Sequence, residues 1–149
     1  MANPLYGQNK FDDNANIYAN GKRETTAVAA ATSLGQNDSG GVFVCSQASA
    51  YAITMPSAAS SDGWYGTFIL GTADSNDVKL TFTAAEMIGW CMDVTATIAD
   101  AAFAGTNTVC KFVSGTAAIG DRVEVWCDGS KWYINAISSI DGGIIGADS

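Results

Sequence analysis

A chain of 149 residues fits one ordinary domain and is long enough to bury a core without staples. Hydrophobic residues make up 48% and charged residues only 15%, so the surface must be covered by Ser, Thr, Asn and Gly, or by partners. The net charge of −8 and seven scattered basic residues, of which only Lys22 and Arg23 adjoin, exclude the clustered cationic face that nucleic-acid binding needs.

The chain opens MANPLYGQNKF, which shows neither a strand's alternation nor a helix's spacing, and Pro4 and Gly7 interrupt any regular structure there. Residues 1–24 therefore read as an extended arm. They lack the basic and apolar regions of a secretion signal, and no run in the chain is long enough to cross a bilayer. From Thr25 onward, short β segments alternate with small-residue turns: TTAVAAATSL, VFVCS, AYAITM, WYGTFILG, DVKLTFT, TVCKFV, DRVEVWC and KWYINAI. The expected fold is all-β, a single sandwich, jelly-roll-like or small barrel domain of about eight short antiparallel strands over residues 25–138. Ala84 to Gly105 is long and mixed, and fits a helical turn, an extra strand or a loop over the sheet edge. Residues 139–149 form a Gly-rich C-terminal tail with an apolar Ile144-Ile145 pair.

The strongest local signal is VEVWCDGSKWYI. Asp128-Gly129 between two apolar runs marks a hairpin, because a tight turn needs positive φ and glycine supplies it at little cost. A two-residue loop sets Val123 opposite Ile134 and Val125 opposite Trp132. Arg122, Glu124 and Trp126 then share the other face with Asn135, Tyr133 and Lys131 respectively. A four-residue loop keeps the same faces, whereas a three-residue bulged loop reverses one strand. Val123, Val125, Trp132 and Ile134 are thus expected on the core face.

Candidate chemistry is sparse. The chain has no histidine, which removes Ser-His-Asp and Cys-His nucleophiles and the usual zinc sets. Cys45, Cys91, Cys110 and Cys127 are far apart with no Cys-x-x-Cys pair; buried free thiols are expected, consistent with a reducing compartment. Asp12-Asp13 and Asp74 with Asp77 sit in polar, turn-like sequence and read as solvated loop acids. TADSNDV clusters Asp74, Asn76 and Asp77 but lacks the EF-hand spacing, and these are also good turn residues. SGTAAIGD lacks the Gly-Lys-Ser/Thr ending of a phosphate loop. No metal and no cofactor are expected, and no enzyme activity. Trp64, Tyr65, Trp90, Trp126 and Trp132 could line a sugar-binding face or fill the core; Trp64 and Trp132 read as core, and Trp90 fits either.

The ordered series TAVAAATSLGQNDSGGVFVCSQASAYAITMPSAASSDGWYGTFIL, DVKLTF and GDRVEVWCDGSKWYI resembles a recurring β domain of tailed-bacteriophage structural proteins. A strand ending Thr54-Met55-Pro56, an aromatic Gly-containing strand and a closing Asp-Gly-x-x-Trp-Tyr carry the likeness, and MANPLYGQNKF is similar to the starts of marine-phage structural proteins. The resemblance implies a virion component: a capsid decoration (cement) protein on the capsid's outer surface, made in the host cytoplasm and usually a homotrimer, or else a head-fibre or tail/baseplate component with a carbohydrate- or receptor-binding β domain. The implied partner is the major capsid protein, with no nucleic acid and no membrane. On that reading, Leu5, Tyr6 and Phe11 anchor the arm on the shell, and Pro4 limits the entropy lost on ordering. Asn3, Gln8, Asn9 and Lys10 bond to the shell's backbone.

Overall fold

The computed structural model describes residues 25–83, 86–94, 101–103 and 107–148. The arm residues Asn3 to Phe11 lie outside them. The described residues are mostly β: β1 (Thr25–Val28), β2 (Thr32–Ser33), β3 (Val42–Ser46), β4 (Tyr51–Thr54), β5 (Tyr65–Thr72), β6 (Val78–Thr81), β7 (Met87–Asp93), β8 (Ala101–Phe103), β9 (Val109–Phe112), β10 (Arg122–Cys127), β11 (Trp132–Ser138) and β12 (Ile144–Ala147), with two single-turn 3₁₀ helices. They form a seven-stranded sheet, ordered β1-β3-β5-β10-β11-β7-β8, and a five-stranded sheet, ordered β12-β9-β6-β4-β2. Inward side chains from both sheets make one apolar core.

The first six strands wind rather than fold back. Odd-numbered strands enter the large sheet and even-numbered ones the small sheet, so β1, β3 and β5 pair in parallel, as do β2, β4 and β6. Parallel neighbours need a crossover, usually a helix; here each crossover is a strand of the opposite sheet. The turns of this winding are bonded to one another between strands as well, through Leu34 N to Thr54 O at 2.9 Å and Met55 N to Thr81 O at 2.9 Å. Tyr51 ties the first two turns together: its hydroxyl donates to the Val28 carbonyl at 2.6 Å and accepts from Ser46 N–H at 3.1 Å.

This corrects the expectation of about eight antiparallel strands. Twelve strands are described, and β7 runs parallel to β11 as well. Inward–outward alternation reports which side chains are buried and is blind to strand direction, so eight hydrophobic runs fitted an antiparallel count. TTAVAAATSL breaks into two strands that pass from one sheet to the other. The mixed run from Ala84 to Gly105 supplies β7 and β8. The segment from residue 139 is part of the fold: β12 pairs antiparallel with β9, and Ile144 is fully buried.

The closing hairpin keeps its expected faces and shifts its register by two. Val123 lies opposite Ala136, Val125 opposite Ile134 and Cys127 opposite Trp132, across a four-residue loop. The reason is the Asp128 carboxylate, whose Oδ1 accepts from Ser130 N–H at 2.9 Å and Lys131 N–H at 2.7 Å and so closes the wider turn, with Gly129 at a φ of +81°. Val123, Val125, Trp132 and Ile134 share the buried face. Trp132 meets Trp64 edge-on at 5.2 Å between ring centroids and Phe82 at 5.7 Å, placing it at the centre of the core. The shift sets Trp126 opposite Tyr133 instead of Lys131.

Candidate binding face

The residues outside the core on β10, β11 and β7 come together as rungs across the large sheet. Tyr65 on β5, Trp126 on β10, Tyr133 on β11 and Ile88 on β7 form one rung. Thr67, Glu124, Asn135 and Trp90 form the next, and Ile69, Arg122, Ile137 and Met92 the third. These rungs follow from strand alternation, since every second residue of each strand projects to the same side. The result is unusual for a surface facing water. Trp90 is 53% exposed, Trp126 44% and Tyr133 43%, and Ile88, Met92 and Val94 are exposed beside them.

A depression of about 520 Å³ opens in this face, lined by Ile88, Gly89, Trp90, Trp126, Tyr133 and Asn135 with Ile134. Gly89 is required there. Its φ is +152°, and an added Cβ would overlap the Ile134 carbonyl oxygen on the neighbouring strand. Polar groups are few and already oriented. The Tyr133 hydroxyl donates to Asp128 Oδ2 at 2.9 Å, and this bond, with the charge of Asp128, raises the pKa of the phenol. The N–H groups of Lys131 and Ser130 hold the Asp128 carboxyl below its ordinary range, with the Tyr133 bond adding to them. Arg122 Nε lies 4.0 Å from Glu124 Oε1.

The other candidates serve the fold. All four cysteines are free and buried. Burial pushes the thiols of Cys45 and Cys91 up to about 12, and raises Cys110 and Cys127 as well. In the acidic loop, Asp77 accepts from Lys111 Nζ at 3.0 Å and from Ser114 N–H at 2.8 Å, while Asn76 donates to the Gln47 carbonyl at 2.9 Å. Asp74 N–H donates to the buried Gln47 side chain at 3.0 Å. These bonds pin the loop to its neighbours, and among the described residues no group of three or more His, Cys, Asp or Glu is placed to hold a metal ion. Among the described residues no helix is long and apolar enough to cross a membrane.

Sequence reasoning singled out Trp64, Tyr65, Trp90, Trp126 and Trp132 as candidate face aromatics. The structure sends Trp64 and Trp132 into the core and leaves Trp90 and Trp126 outward, with Tyr65 half-buried in the Trp126 rung. Ile88 and Met92 were missed, because MIGWCMD is apolar on both faces and gives no contrast by which to tell inside from outside. No protein-family model, curated protein or solved structure matches this chain.

Proposed function

We propose that this protein is a virion structural component, a capsid decoration protein that stabilises the shell from outside, built as a β-sandwich with an N-terminal arm and acting as a homotrimer. The observation that supports it best is the outer face of the large sheet. Its outward positions on β7, β10 and β11 carry two tryptophans, a tyrosine and four aliphatic or thioether side chains if Val94 is counted, with Arg122 and Glu124 the charged residues among them. Such a face is costly to leave in water and marks a surface that a macromolecule covers in use. The arm makes the shell contact in this reading, with Leu5, Tyr6 and Phe11 as its anchors. The test is deletion of Ala2 to Lys10, followed by occupancy measured on decoration-free particles. Occupancy should fall to background, and undiminished binding ends the claim about the arm.

One observation favours a second reading, a carbohydrate- or receptor-binding module of a head fibre or tail. The Tyr65–Trp126–Tyr133 rung sets three aromatic side chains in one row, and Glu124 and Asn135 stand on the adjacent rung as hydrogen-bonding groups. Aromatic faces stack on the CH surfaces of sugars. Glycan-array binding that is lost in Trp126→Ala would favour this reading over a decoration role.

A further inference from the structure

We infer that the outer face of β7, β10 and β11 is the surface through which copies of this chain join. The inference rests on the oligomeric half of the reading above, and its test on free protein is separate from shell binding.

Three features of the face point to a second copy as its occupant. The first is area. Ile88, Trp90, Met92, Val94, Trp126 and Tyr133 together leave on the order of 600 Å² of side chain in water, the upper end for a monomer's largest patch and close to the roughly 800 Å² that one partner buries in a standard interface. The second is shape. Trp90 and Trp126, each about half exposed, line a depression of about 520 Å³ together with Ile88, Tyr133 and Asn135, so the face offers both large apolar side chains and a hollow that can receive one. A surface with both can close a ring of three copies, a tryptophan of each entering the depression of the next, as a three-fold contact requires. The third is charge. Arg122 and Glu124 are of opposite sign and two residues apart on one strand, loosely paired at 4.0 Å. A copy turned about a symmetry axis can meet each with its opposite, which fixes register without like-charge repulsion.

The tryptophans supply the test without any mutation. The chain has four, of which Trp64 and Trp132 are fully buried, so acrylamide-quenchable fluorescence comes from Trp90 and Trp126. Native mass measurement across a concentration series, read together with quenching, should show an oligomer whose formation takes the quenchable share from about two tryptophans of the four towards none. Trp90→Arg, an outward substitution, should keep the circular dichroism of the parent and give a monomer whose Trp126 stays quenchable at every concentration. A chain that is monomeric throughout overturns the inference. So does an oligomer in which both tryptophans remain quenchable, since copies would then join elsewhere. Protection of Trp90 and Trp126 by an oligosaccharide in a monomeric chain overturns it too, and favours the sugar-binding reading. A chain lacking Ala2 to Lys10 that still associates but no longer occupies particles separates this interface from the shell contact.

Discussion

The two sheets turn different outer faces to their surroundings. On the small sheet, one outward rung runs Ile145, Lys111, Lys79, Ala52, and Lys111 is tied to Asp77 at 3.0 Å. The next outward rung runs Ala147, Val109, Thr81, Thr54. On the large sheet the corresponding rungs hold Trp126, Tyr133, Ile88 and Trp90. Both sheets close over the same core, so core packing does not explain the difference. Strands covered on one face only normally alternate apolar-in and polar-out; the small sheet's outward rungs mix Lys and Thr with aliphatic residues, whereas β7 turns Ile88, Trp90 and Met92 outward. The exception coincides with the face proposed above as the interface between copies.

The sharpest way to break this contrast is to truncate tryptophans on opposite faces of the same hairpin. Trp132→Ala removes a fully buried ring that touches Trp64 and Phe82, and should cost about 3–5 kcal/mol in urea unfolding. Trp126→Ala, on the adjoining strand but outward, should change the stability of the isolated chain by about 0.5 kcal/mol or less. Similar losses for the two would mean that the outer face is held by the fold and is not free for a partner. Gly89→Ala comes next. The new Cβ meets the Ile134 carbonyl at a backbone angle that L-residues rarely adopt, so about 1–3 kcal/mol should be lost. It should also disturb the depression between Trp90 and Trp126. An alanine variant as stable as the parent would show that β7 can be moved away from β11 at no cost.

How much of this was legible in the sequence depends on what each pattern records. The hairpin faces were legible, because Val123, Val125, Trp132 and Ile134 alternate with polar or amphipathic residues around Asp128-Gly129. The turn length was less so: it depends on the Asp128 carboxylate capturing two N–H groups, which widens the loop without changing either face. The outward position of Trp126 came with those faces. That of Trp90 did not, since Ile88 and Met92 alternate with Met87 and Cys91 and both sides of β7 look alike. Parallel winding was not legible, because connections such as GQNDSGG suit a return in the same sheet as well as a passage to the other one. The tail read as an appendage because glycines hide the edge strand formed by Ile144 and its neighbours.

The smallest expected effect concerns the wetted sheet and is a matter of acid. Burial works against the Asp77 carboxylate, but the Ser114 N–H and the Lys111 ammonium outweigh it and hold the folded-state pKa below the ordinary 3.8. A carboxyl whose pKa is depressed by folding stabilises the protein fully above its unfolded value. That contribution is lost as pH falls through 3.8 towards the folded-state value. Asp77→Asn should therefore lower stability near neutral pH by about 0.5–1 kcal/mol, a modest sum for a partly solvated pair. The gap between variant and parent should narrow as the pH is taken below 4, because protonation removes the same charge from the parent. Urea midpoints measured from pH 7 downward test this directly. A gap that stays constant across the series would mean that Asp77 acts through hydrogen-bond geometry alone, and that the small sheet's outer face does not draw on the Lys111 pair for its stability.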